Sequence, residues 1–436
     1  MTLPAPGPDP DAADLAPWSW YLVPRPAYTG SNDVRLLRGG DALFPALIDA
    51  VRRARRDIWL ATYIFHDDEA GLAVAQALAE AAARGVRVRV VIDGFGSNQT
   101  GHRMRRHLAG HGVALAVFRP LDRWTHWLQP GQLRRLHMKL CVVDGDVGFV
   151  GGINLIDDRN DLHHGRSELP RLDYAVRAIG PVVAQMEQAV RAVWSRAWYG
   201  RDWRHEVMAR LRAPRPLSGL RALWRQLRMT RRRPREMEPL PSLLPTRAAF
   251  VVRDNLRQRR TIERAYIEAL HRARQRILIV TPYFYPGADF RRALCQAARR
   301  GVEVHLLLQG KVDYRLAALA ARVLYHELLL HGVRVHEYTP AFLHAKVAVV
   351  DDDWATVGSS NIDPLSLLLN LEANLIVRDE GFAEHLADEV QAALGDSREI
   401  LDAEAPLRGM AAWAGRAVVA WCAYVYLRLA GVTGRY

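Results

Sequence analysis

Residues 136–154 read LHMKLCVVDGDVGFVGGIN, and residues 343–361 read LHAKVAVVDDDWATVGSSN. In both, the histidine is followed by lysine at +2, aspartate at +7 and asparagine at +17: His137, Lys139, Asp144 and Asn154, then His344, Lys346, Asp351 and Asn361. Chance pairing of the 16 His and 3 Lys in 436 residues would give His-x-Lys only about 0.1 times per chain. Two copies with matching Asp and Asn are therefore a signal. Genome composition can explain 57 arginines, but not why two of the three lysines (Lys311 is the third) stand here. A compact point charge is favoured over a guanidinium fork.

Outward from these stretches the chain repeats itself. IDAVRRARRDIWLATYIF (Ile48 to Phe65) matches IEALHRARQRILIVTPYF (Ile267 to Phe284), and AAARGVRVRVVID (Ala81 to Asp93) matches QAARRGVEVHLLLQ (Gln296 to Gln309). HGVALAVF at His111 and HGVRVHEY at His331 continue the series in order. Each pair reads as an amphipathic helix, a turn glycine and a buried strand. A single match could be shared βα grammar, but several in order mean one unit carried twice. The expected fold is α/β, with two similar lobes related by a pseudo-two-fold axis and each sheet covered on both faces by helices.

A strand period of two puts His137 and Lys139 on one face of LHMKLCVV, with Met138 and Leu140 on the other; His344 and Lys346 alternate likewise. An imidazole beside an ammonium suits attack on a phosphodiester. Lysine neutralises the non-bridging oxygens while histidine serves as nucleophile or proton carrier. Asn154 and Asn361 can donate to the same oxygens. Asp144 and Asp351 end strand-like runs at DGD and DDD, which favours a turn or interlobe role over direct chemistry. His66, His163 and His164 read as surface or loop residues.

The paired motif resembles the HxKx4D signature of the phospholipase D superfamily. Its context, with GSSNIDPLSLLLNLEANLIVRD (Gly358 to Asp379), is most similar to bacterial cardiolipin synthases of the shorter type. The likeness runs from about Val34 to Asp396 and implies two phospholipase D-like lobes, each a mixed sheet flanked by helices. It also implies a two-step phosphatidyl transfer in one site between the lobes. His137 attacks the phosphorus, and His344 protonates the leaving alcohol and then deprotonates the acceptor. Donor and acceptor would both be phosphatidylglycerol, with glycerol released. His137, Lys139, Asp144, His344, Lys346 and Asp351 form the implied catalytic set. Asp173 and Glu372 are the implied acids that orient the histidines, and the sequence leaves open whether each holds its own histidine or the opposite one.

The chain has 50% hydrophobic and 25% charged residues, a globular composition that excludes a disordered tail, a collagen and a coiled coil. A net charge of +13 favours anionic partners. Cys141, Cys295 and Cys422 have no CxxC spacing, so neither a disulfide framework nor a zinc site is indicated, and a reducing compartment fits. There is no Walker loop and no metal-ligand cluster, and a lysine beside each histidine opposes a cation. No cofactor and no metal are expected.

Residues 1–32 are expected to be a disordered leader and lead-in without a signal peptide, followed by lobes over 33–211 and 247–396. Between them, 212–246 forms a basic linker. Within it Leu220, Leu223, Trp224 and Leu227 recur at helical spacing beside Arg221, Arg225 and Arg228, which suits either an anionic membrane surface or packing on a lobe. The tail, 397–436, has an uncharged run from Ala417 to Leu427. That is too short to span a bilayer, and reads as an interfacial anchor or a closing helix. Trp124 and Trp127 with Arg123, Arg134 and Arg135 make an amphipathic loop near the site, while Trp194, Trp198 and Trp203 read as packing.

The expected function is cardiolipin synthesis at the cytoplasmic side of the cell membrane by a peripheral enzyme acting on anionic phospholipid, with no nucleic acid as partner. The alternatives are a phospholipase D with water as acceptor, a nuclease of the same superfamily, and a non-catalytic binder. Intact His and Lys in both copies count against the binder. Aromatics gathered in the tail rather than in a basic groove count against the nuclease.

Overall fold

The computed structural model describes residues 26–98, 101–120, 134–161, 165–199, 246–253, 258, 260–311, 324–363 and 370–401. The linker helix, the apolar tail, the Trp124–Trp127 loop, Trp203, His163 and His164 all lie outside the described residues.

The first lobe runs β1 (Asp33–Arg38), α1 (Gly39–Arg53), β2 (Asp57–Thr62), α2 (Glu69–Ala83), β3 (Arg87–Asp93), α3 (Gly101–Gly110), β4 (Ala114–Phe118), β5 (Lys139–Val143) and β6 (Val147–Gly151). A small hairpin, β7 (Asn160–Asp161) and β8 (Gly165–Arg166), precedes β9 (Tyr174–Ile179) and α4 (Val182–Tyr199). The second runs β10 (Arg247–Arg253), α5 (Thr261–Arg272), β11 (Arg276–Val280), α6 (Ala288–Arg299), β12 (Glu303–Gln309), β13 (Arg334–Tyr338), β14 (Val347–Val350), β15 (Trp354–Gly358), β16 (Glu372–Arg378), α7 (Glu380–Gly395) and β17 (Ser397–Glu399).

The sheet orders are β1-β9-β6-β5-β2-β3-β4 and β10-β16-β15-β14-β11-β12-β13-β17. Strand for strand the second repeats the first and adds β17 at one edge. In each sheet the central strand, β2 or β11, pairs parallel on one side and antiparallel on the other, which makes the sheets mixed. Local chemistry agrees with the repeat: α1 buries Leu43, Leu47 and Val51 at four-residue spacing, and α5 buries Ile262, Tyr266, Ala269 and Leu270. The turns entering β3 and β12 carry Gly85 and Gly301 at φ +88° and +89°, a left-handed conformation that side chains disfavour.

Helices α1 to α3 cover the outer face of the first sheet and α5 and α6 that of the second. The inner faces carry helices as well, as expected. Each takes one helix, α4 or α7, and the rest of its cover is the opposite lobe: Val176, Met186 and Val190 share a core with Phe250, Val357, Leu375 and Leu386. Burying such a side chain contributes about 1.5–3 kcal/mol, so this seam fixes the lobes against each other.

The last residues of the lead-in pair with lobe two. Thr29 exchanges backbone hydrogen bonds with Ala248 at 2.8 and 2.9 Å, and Asn32 N–H donates to Thr246 O at 3.3 Å. Strand β10 is a sheet edge whose polar groups require partners, and the chain entering lobe one supplies them.

Candidate active site

The segments leading into β5 and β14 meet their partners across the seam. His137 N–H donates to Leu371 O at 3.0 Å, and Leu371 N–H donates to Arg135 O at 2.8 Å. His344 N–H and Leu172 N–H donate to Leu172 O and Phe342 O respectively, both at 2.9 Å. The backbone of these two segments is therefore hydrogen-bonded to the backbone of the opposite lobe. This is why the regular ladder starts only at Lys139 and Val347, later than the strand pattern suggests.

The pairing crosses the acids as well. His137 Nδ1 lies 3.0 and 3.1 Å from the two carboxylate oxygens of Glu372. His344 Nδ1 lies 2.6 Å from Asp173 Oδ2. Each acid holds the histidine of the other lobe, so the question left open in the sequence has a definite geometric answer. An acceptor at Nδ1 leaves Nε2 as the nitrogen able to attack phosphorus or carry a proton.

Both lysines are buried in this cluster, Lys139 at 6% and Lys346 at 1% exposure. Lys139 Nζ lies 3.2 Å from His137 Nε2 and donates to His137 O at 2.9 Å, while Lys346 Nζ donates to His344 O. Burial pushes Lys139 down to about 8 and Lys346 down to about 7. The Tyr63 ring flanks His137 with centroids 4.9 Å apart.

The two halves are electrostatically unequal. Burial lowers His137, and Glu372 opposes that fall. His344 lies well below the ordinary imidazole value because of burial and then Lys346, Arg171, Lys139 and His137. Burial would raise Glu372, but the charge and hydrogen bond of His137, then Lys139 and the Ser359 hydroxyl, hold it below the ordinary glutamate value. Ser359 Oγ donates to Glu372 Oε2 at 2.6 Å. In lobe one the matching residue is Gly152, where a Cβ would stand 2.2 Å from Asp173 Oδ1. Asp173 thus has no such hydroxyl, and burial raises it to about 7.

Two members of the implied catalytic set lie apart from the His–Lys cluster. Asp144 and Asp351 adopt φ +55° and +52° at the turns after β5 and β14, with their carboxylates committed to backbone N–H groups. Asp144 accepts from Arg55, Arg56 and Asp57 at 2.7–2.9 Å, and Asp351 from Arg274, Gln275 and Arg276 at 2.8–3.2 Å. They stand at the ends of their strands remote from the histidines and lock the start of β2 and β11. Asn154 and Asn361 are buried just after β6 and β15; Asn154 Oδ1 accepts from Ile64 N–H at 3.3 Å, a bond that uses its oxygen and not its amide donors. His66 stands 3.5 Å from Asp68 Oδ2 and 3.8 Å from Asp67 Oδ1. Trp194 packs edge-on against Trp59, whereas Trp198 stacks on Trp194 and remains 46% exposed.

Sequence reasoning missed Asp93 and Gln309, the last residues of β3 and β12. Asp93 Oδ2 accepts from Leu136 N–H at 2.8 Å and Gln309 Oε1 from Leu343 N–H at 2.9 Å. Both brace the residue just before a motif histidine, His137 or His344. Their equivalent places in the repeat were the available signal. Arg171, whose charge acts on Lys139, His344 and Lys346, was also missed.

The family model described as "Cardiolipin synthase, PLD-like domain" matches residues 47–165 and again 266–394. Cardiolipin synthase B of Salmonella typhi is 37% identical over 86% of this chain and 84% of its own length, and that of Escherichia coli K12 is 34% identical over the same shares. Among solved structures, phosphatidylserine synthase of Haemophilus influenzae covers 95% of this chain and 98% of its own at TM-score 0.61 and 12% identity, a likeness of fold. Two matches of one model, one per lobe, agree with the repeated sheet and with the histidine at each entry to the seam. The chain belongs to the cardiolipin synthase family of the phospholipase D superfamily.

Proposed function

We propose that the protein joins two phosphatidylglycerol molecules into cardiolipin and glycerol through a phosphatidyl-histidine intermediate. His137 Nε2 attacks the donor phosphorus while the bond from phosphorus to the glycerol oxygen breaks, and His344 Nε2 gives that oxygen a proton. The acceptor hydroxyl then attacks, passing its proton to His344, and the P–N bond breaks with its electrons returning to the His137 ring. Lys139 and Lys346, with Asn154 and Asn361, hold the non-bridging oxygens. Glu372 stabilises the His137 imidazolium and Asp173 orients His344.

One observation carries this reading: two imidazoles, each fixed through Nδ1 by a carboxylate of the opposite lobe, stand with two buried lysines at one seam. Lysine charge suits a phosphoryl group passing between the rings. We further propose that the protein works as a peripheral enzyme at the cytoplasmic face of the membrane. Its net charge of +13 and its buried free Cys141 and Cys295 support that placement. Among the described residues no helix is long and apolar enough to cross a bilayer.

The test is to incubate purified protein with phosphatidylglycerol vesicles and identify products by mass spectrometry. Cardiolipin with equimolar glycerol is expected. Phosphatidic acid alone would make the protein a hydrolase, and cleavage of nucleic acid without lipid turnover would make it a nuclease.

A further inference from the structure

Beside His344 the pseudo-symmetry of the site breaks. Two residues before Asp173 stands Arg171; two residues before Glu372 stands Asn370. Arg171 is 12% exposed, and its Nη2 donates to Asn160 O and to Asp161 Oδ2, both at 3.2 Å. Its backbone N–H donates to Asp158 O at 2.9 Å. These partners lie in the β7–β8 hairpin and the turn before it. Lobe two has no equivalent among its described residues, and there the catalytic histidine and the acid are 28 residues apart, against 36 in lobe one. The hairpin thus anchors a cation where lobe two has the neutral Asn370, at a position where its charge acts on His344, Lys346 and Lys139.

Transfer between two phosphodiesters places two anions in one site. Lys139 and Lys346 serve the phosphorus between the rings, and Asp173 and Glu372 already offset much of their charge. A second phosphate brought beside Asp158, Asp161 and Asp173 requires its own cation, because a buried unpaired charge costs several kcal/mol. Arginine suits this task, since its planar donors match phosphate oxygens two at a time.

We propose that Arg171 binds the phosphate of the acceptor lipid and thereby makes the site select a phosphodiester-bearing alcohol over water. The inference rests on the transfer reading above and names the acceptor side of that site. Arg171 forms no covalent bond and moves no proton. It holds the acceptor so that its hydroxyl oxygen meets phosphorus while the proton goes to His344.

The experiment compares wild type, Arg171→Gln and Arg171→Lys on phosphatidylglycerol vesicles with and without ethanol, an uncharged acceptor, and quantifies cardiolipin, phosphatidic acid and phosphatidylethanol. Arg171→Gln is expected to lower the ratio of cardiolipin to phosphatidic acid about tenfold or more. Phosphatidylethanol should stay within about twofold of wild type, and Arg171→Lys should restore part of the ratio. A parallel fall of all three products would make Arg171 a prop for the hairpin and overturn the inference, as would an unchanged ratio. A wild type that forms phosphatidic acid but no cardiolipin would instead defeat the transfer reading, and the inference with it.

Discussion

Asp173 and His344, 2.6 Å apart through Oδ2 and Nδ1, come from opposite lobes, as do Glu372 and His137 at 3.0 Å. Neither lobe alone therefore contains a histidine with its orienting acid. Asp173→Asn is expected to lower turnover about 10²–10⁴-fold, the range for a displaced acid–base group. The crossed pairing is read by NMR of the ring nitrogens. Asp173→Asn should move the His344 signals and leave those of His137 nearly in place, and Glu372→Gln should do the reverse. The opposite pattern would mean that each acid serves its own lobe.

The buried lysines predict the alkaline side of the pH profile. Burial depresses both, Lys139 to about 8 and Lys346 to about 7, so raising pH through that window discharges the ammonium groups proposed to hold phosphate. Accordingly kcat/KM, which reports the free enzyme, should fall above about pH 7–8. A bound phosphate favours the ammonium forms, so the fall in kcat should lie at higher pH. For stability the sign is opposite: in that interval the unfolded chain binds protons that the native lysines have lost, so these two groups favour the fold as pH rises toward their ordinary value. Rates on mixed micelles from acid to strongly alkaline pH check the first claim. A kcat/KM flat to pH 10 would refute it.

Much of this was legible in the sequence because the fold is written twice. His137-x-Lys139 and His344-x-Lys346 keep their lysines on the histidine side, as strand alternation requires, and Gly85 and Gly301 mark equivalent turns. The crossing of Asp173 and Glu372 was not legible. Spacing along a chain cannot say which of two similar lobes an acid faces, and that choice is made by the apolar seam around Val176, Leu343 and Leu375. Asp93 and Gln309 escaped notice because an acid and an amide do not look alike in a motif, although each supplies the same acceptor oxygen. Arg171 escaped because one arginine among 57 carries no signal until its surroundings are known.

Asp144 and Asp351 should behave as structural residues. Each carboxylate accepts several backbone N–H groups and its residue holds a left-handed turn, a conformation aspartate tolerates better than most. Asp144→Ala should therefore cost about 1.5–3 kcal/mol of stability, as charged hydrogen bonds do. Its kcat per folded molecule should stay within about twofold of wild type. Thermal unfolding and active-site titration of the same sample separate the two effects. A large loss of kcat at unchanged melting temperature would return Asp144 to the chemistry.

Asp93 and Gln309 should act on the histidines through the backbone. Asp93 is fully buried; Oδ1 accepts from Phe95 N–H at 2.8 Å and Gly96 N–H at 3.1 Å, and Oδ2 from Leu136 N–H at 2.8 Å. All three bonds need an acceptor, and burial raises this carboxyl to about 6. Protonation turns one oxygen into a donor and breaks a bond on one side, so the backbone carrying His137 loosens as pH falls through about 6. Because a displacement of about 1 Å can cost about 10² in rate, Asp93→Asn should lower kcat at neutral pH by tenfold or more on that scale, with little change in KM, and should remove the acid limb near pH 6. Gln309→Glu keeps an acceptor for Leu343 N–H and should retain turnover, whereas Gln309→Leu should lose it. A merely structural role would lower the melting temperature without moving the pH profile. An acid limb that survives in Asp93→Asn would show that another group sets it.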